Sequence, residues 1–165
     1  MGMYVGIDPG KTGGISILDG NGKTHFAQEM PLTPIGEIDS NRIFEILDKA
    51  QDLLQDIPDP DFKIFCVLEK AQSMPKQGVK STFNYGVGYG EIKAALKIAE
   101  IPFQEIPPQK WKKEFNLIKK SKADSCDTAA KLFPHISFLT KRGRMMDGLA
   151  ESLLLAEYAK RISND

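Results

Sequence analysis

Two acidic residues stand where apolar runs stop. Asp8 follows the run 3–7 in "MYVGIDPGKTGG", and Glu69 follows the run 62–68. Both runs read as buried strands, so if the strands are neighbours their carboxylates emerge at one edge of a sheet. A second pair, Asp147 and Glu151 in "MMDGLAESLLLAEYA", is four residues apart and shares one face of a helix. Like charges at that spacing disfavour a helix by about 0.2–0.5 kcal/mol unless a cation lies between them. Oxygen-only ligands select Mg²⁺ or Mn²⁺ over zinc. Four carboxylates can hold two such ions about 3.5–4 Å apart, the arrangement used in phosphodiester hydrolysis. Taken singly, Asp8 reads equally as a turn residue before Pro-Gly, and Asp147 as an acid favoured at a helix N-terminus. Taken together, the four acids describe a site.

Basic residues crowd the same part of the chain. "PPQKWKKEFNLIKKSKAD" carries Lys110, Lys112, Lys113, Lys119, Lys120 and Lys122, and "KRGR" adds Lys141, Arg142 and Arg144 just before Asp147. Cations beside an acidic metal site suit a polyanion whose phosphate must approach carboxylates. The whole chain is neutral, with 22 basic and 22 acidic residues. Residues 29–61 nevertheless hold nine acids against Arg42 and Lys49, and residues 105–144 hold ten Lys/Arg against four acids. That asymmetry can give one face a basic footprint, although two ordinary solvated surfaces account for it equally well.

The elements that must position these groups follow from periodicity. Strands are expected at 3–7, 14–18, about 24–29, 62–68 and 102–106. The Asp-Gly and Asn-Gly signals of "LDGNGKTHF" make a hairpin of the second and third. Asp39 or Ser40 can cap a helix running to about residue 55. Further helices are expected at about 82–100, after the prolines of "PPQKW", at 122–133 and at about 146–161. The stretch "KAQSMPKQGVKSTFNYGVGYG" reads as polar and glycine-bearing, outside the core. This order predicts an α/β fold with one mixed five-stranded sheet, in a single domain spanning 1–165. No apolar run approaches the roughly 18 residues of a membrane span, so a soluble, cytoplasmic protein without a membrane partner is expected. Cys66 and Cys126 have neither metal-ligand spacing nor disulfide density.

"GIDPGKTGGISIL", "VLEKAQSMP" and "DGLAESLLLAEYAKR", in this order and at these separations, resemble the RuvC family of Holliday junction resolvases, in particular its phage-type members. The resemblance spans nearly the whole chain. It implies a ribonuclease H-like fold and a homodimer that binds four-way DNA junctions and nicks two strands symmetrically with Mg²⁺. The setting would be the cytoplasm of a bacterium, or of the host cell if the gene is phage-borne. By the same resemblance Asp8 is the aspartate of the first strand, Glu69 the glutamate ending the fourth, and Asp147 and Glu151 the acidic pair of the last helix. RuvC proteins commonly carry that pair as two aspartates three residues apart. The spacing of four and the longer Glu151 side chain still allow both to reach one site. The resemblance also puts junction-contacting lysines in the 110–122 region. It makes the loop after Glu69 the place where an apolar side chain enters the crossover, with Met74, Phe83 and Tyr85 as candidates and Lys76 and Lys80 as DNA contacts. For each candidate, packing in the core is the competing reading; Trp111, in a basic helix, could stack on DNA, but a half-buried core role is the preferred reading.

Other chemistries fit less well. "DPGKTGG" is similar to the phosphate loop of the actin and sugar-kinase superfamily, but those proteins need two such domains around a cleft. A Walker loop would need a glycine where Val5 stands, so no nucleotide cofactor is expected. A ribonuclease H-type or RNA-processing nuclease would use the same carboxylates. A branched-DNA-binding module that does not cut would have no need of them.

Overall fold

The structure, a computed structural model, describes residues 2–55, 63–72 and 78–163. Its elements are β1 (Gly2–Asp8), β2 (Gly14–Asp19), β3 (Thr24–Glu29), α1 (Ser40–Gln55), β4 (Lys63–Glu69), α2 (Val79–Ile98), β5 (Phe103–Ile106), α3 (Pro108–Glu114), α4 (Lys122–Leu132) and α5 (Asp147–Ser163). The strands form one mixed sheet in the order β3-β2-β1-β4-β5. β1, β2 and β3 pair antiparallel, and β4 and β5 join β1 in parallel.

Alternation along each strand sorts the side chains onto two cores. Met3, Val5 and Ile7 of β1, with Ile15, Ile17, Cys66 and Leu68, face α1 and α2. Tyr4, Leu18 and Val67 face the opposite way, among Trp111 of α3, Ala129 of α4 and Leu153 and Leu154 of α5. Residues 8 and 69 have the parity of Tyr4 and Val67. They therefore belong to the side of the sheet that α5 covers.

Local chemistry sets the ends of the helices. Asp39 caps α1, its Oδ1 accepting from the Arg42 amide at 3.0 Å. Ser121 and Asp124 form a reciprocal capping box at the start of α4. Pro108 opens α3, where its missing N–H leaves nothing unsatisfied. Tertiary packing decides two of the helices. α2 begins at Val79, three residues before the expected start at about 82, and runs through Gly86, Gly88 and Gly90; within 79–90 only Gly88 is buried, so that stretch lies outside the core as expected. Packing of buried Gly88 against Ile38 overrides the poor helix propensity of the glycines. α5 is covered on all sides: every residue from Gly148 to Ala159 is buried, because the helix lies between the sheet and α4. No helix among the described residues is long and apolar enough to cross a membrane.

Candidate active site

The carboxylates meet because α5 is pressed unusually close to β1 and β2. A Cβ placed on Gly6 would stand 2.1 Å from the Ser152 carbonyl oxygen, and one on Gly148 would stand 2.0 Å from that of Thr12. Those are backbone atoms that cannot step aside, so only glycine permits the approach. Glu151 is thereby held facing Asp8 and Glu69, and Asp147, which starts α5 one turn before it, sits next to Gly148 where that residue meets the turn at Thr12 and Gly13. The strand register ends on the pair Ile7 and Leu68, so Asp8 and Glu69 are the next residues along both strands.

Among the acids, Asp8, Glu69 and Glu151 act on one another, and Asp147 is linked to them through Lys122, which faces Asp147, Glu151 and Asp8. Burial, then the charges of Glu69 and Glu151, push the Asp8 carboxyl well above the ordinary aspartate range. Burial also raises Glu69; the indole of Trp111 opposes the rise and the charge of Glu151 adds to it. The protein supplies its own countercharge. Lys112 Nζ lies 3.1 Å from Glu151 Oε1, and Lys122 is paired with Asp147. Ser125 Oγ donates to the same Glu151 oxygen at 3.0 Å. The donor set is all oxygen and suits a hard divalent cation. As they stand, no three acid, histidine or cysteine side chains among the described residues form a ready metal-binding cluster. Lys112 and Lys122 hold two of the four acids.

The other expected site residues divide into three groups. Lys80, Lys110, Lys113, Lys119, Lys120 and Arg142 are exposed. Lys112, Lys122 and Arg144 are committed within the chain, Arg144 by a two-pronged contact in which its Nη1 and Nη2 donate to Glu29 at 2.8 and 2.7 Å. Met74 and Lys76 lie outside the described residues. Of the remaining wedge candidates, Phe83 is 69% exposed on α2 and is no core residue. Tyr85 instead forms part of the site wall. Its ring packs against the Gly10 turn, and burial with the charges of Asp8 and Glu69 pushes its hydroxyl up to about 12. It borders a cleft of about 750 Å³ that runs between this turn and α2 past Lys11, Lys80 and Asn84. In the structure Gly10 accommodates Tyr85, and Gly13 lies against the Asp8 carbonyl and Gly148.

Sequence reasoning missed Trp111 and Ser125 as partners of the acids. Each touches its glutamate from another helix, and neither spacing nor composition signals that contact.

A mixed sheet of this order with helices on both faces is the ribonuclease H-like architecture. Within that class the fold is similar to that of RuvC. It is similar to RuvC of Thermus thermophilus (TM-score 0.60, 17% identity, 98% of this chain and 96% of that chain). It is equally similar to T. thermophilus RuvC in complex with a Holliday junction substrate (TM-score 0.59, 16% identity, 93% and 90%). No family model matches the chain, and no curated protein does.

Proposed function

We propose that the chain is a structure-selective nuclease that resolves four-way and branched DNA junctions by Mg²⁺-dependent phosphodiester hydrolysis, with Mn²⁺ able to substitute. The observation that carries this reading is the placement of Asp8 and Glu69 at adjacent strand ends, facing Glu151 of α5. It is supported by the RuvC-like fold, one of whose similar structures is a complex with a Holliday junction. Asp8, Glu69, Asp147 and Glu151 would hold two ions, which polarise a water and offset charge developing on the leaving oxygen.

The chain's own residues do the rest. Lys112 and Lys122 offset the mutual repulsion of the acids, and Lys122, whose side chain is 69% exposed, is free to turn from Asp147 toward a phosphate. Lys110, Lys113, Lys119, Lys120 and Arg142 supply the exposed charge that tracks a DNA backbone. Two opposed nicks in one junction need two sites related by a two-fold axis, hence a homodimer. α2 offers the surface for it: Val79, Phe83, Val87 and Ile98 are exposed, and around Gly86 and Gly90 a partner helix could approach closely.

The test is a cleavage panel in Mg²⁺ with an end-labelled four-way junction, the matching linear duplex and an RNA–DNA hybrid. Paired, symmetric nicks confined to the junction are expected. Preferential cutting of the hybrid would move the protein to the ribonuclease branch of the fold. Junction binding without cutting would make it a recognition module.

A further inference from the structure

Trp111 heads the fully buried side chains at 0% exposure, and an indole N–H in an apolar interior needs an acceptor. The acceptor is Glu69: Trp111 Nε1 donates to its Oε2 at 2.7 Å, across 42 residues of chain. The ring is fixed on its other sides. Phe115 meets it edge-on with centroids 6.4 Å apart, and Lys112 Nζ stands 5.1 Å from its centroid. That same lysine reaches Glu151 Oε1 from the next position on α3. Consecutive residues of one short helix thus each hold one oxygen of a different site glutamate. A phenylalanine would keep the aromatic ring against Phe115 at the cost of a small cavity, so what the indole adds beyond packing is its N–H.

We infer that Trp111 is a positioning residue of the site: its indole N–H pins Glu69 Oε2, fixes the carboxylate's rotamer and leaves Oε1 for a divalent cation. The inference rests on the reading of Glu69 as a metal ligand. It also removes Trp111 from the surface on which DNA bases could stack. Partners that orient a ligating side chain are typically worth about 10- to 100-fold in ion affinity or activity.

Trp111 is the only tryptophan in the chain, so its indole N–H gives a single resonance in a ¹H–¹⁵N spectrum. In the metal-free full chain that signal should move when Mg²⁺ alone is added without DNA, and should stand elsewhere in Glu69→Gln. Trp111→Phe should fold with a thermal midpoint within a few degrees of wild type. Its affinity for Mn²⁺ alone, measured by calorimetric titration, should fall about 10- to 100-fold. The Mg²⁺ concentration for half-maximal cleavage should rise by the same factor, with the KM for junction unchanged. An indole signal indifferent to both Mg²⁺ and Glu69→Gln, or wild-type ion affinity in Trp111→Phe, would overturn the inference, and the first holds even if that variant fails to fold. The titrations need no DNA. A wild type that binds no ion therefore overturns this inference together with the metal reading, whereas ion binding without junction cleavage overturns only the proposed substrate.

Discussion

At the scale of single residues, the site is held together against its own charge. Asp8 and Glu69 both titrate above their ordinary range, chiefly because they are buried and then because like charges face them. A carboxyl whose folded pKa is raised binds its proton more tightly in the native state. Stability is then fully present below the unfolded pKa, near 4, and is lost as pH rises through the folded one. With a chelator present, wild type should therefore lose stability from about pH 4 toward pH 8, each whole unit of elevation being worth about 1.4 kcal/mol. Asp8→Asn should flatten that slope and be the more stable protein at pH 8 but not at pH 4. Urea unfolding at the two pH values reads this directly, and identical slopes would contradict it. The positions of Asp8 and Glu69 at strand ends and of Asp147 and Glu151 one turn apart on a helix were legible in the sequence, because these are local patterns. Their partners were not: Trp111, Lys112 and Ser125 reach the glutamates across 42, 39 and 26 positions, contacts that only the packing of α3 and α4 creates.

At the scale of elements, the decisive contact is α5 on β1. Gly6→Ala would drive a methyl into the backbone of α5 at Ser152 and Ala156. The expected loss is about 2–4 kcal/mol, more than an ordinary overpacked core position, because neither backbone can yield. A fall in thermal midpoint, with cleavage lost in the surviving folded fraction, would match; a neutral substitution would show that α5 can lift without consequence. Strand and helix positions followed from alternation and capping within a residue or two. The exception was the start of α2, which comes at Val79 instead of about 82. The full burial of α5 was equally illegible, since a helix covered on all sides shows no stripe.

At the scale of the whole molecule, the charge asymmetry acquires a geometry. The acid-rich segment includes α1, packed on one side of the sheet, while the basic segment includes α3 and α4, packed on the other beside the site. A neutral chain can in this way present a basic face to DNA. The second large-scale feature is the exposed face of α2. Gly90→Lys meets open space in the single chain and should gain up to about 1 kcal/mol of helix propensity. In a dimer packed through α2 the same lysine would be buried, so sedimentation should show wild type as a dimer and the variant as a folded monomer. A variant that remains dimeric would place the interface elsewhere. The central claim, that the four carboxylates cut a branched DNA, is tested most directly by comparing wild type and Asp8→Asn on one end-labelled four-way junction, scoring binding without Mg²⁺ and cleavage with it. The account predicts that Asp8→Asn binds the junction at least as tightly as wild type and makes no nick. Cleavage by Asp8→Asn at the wild-type rate would contradict it.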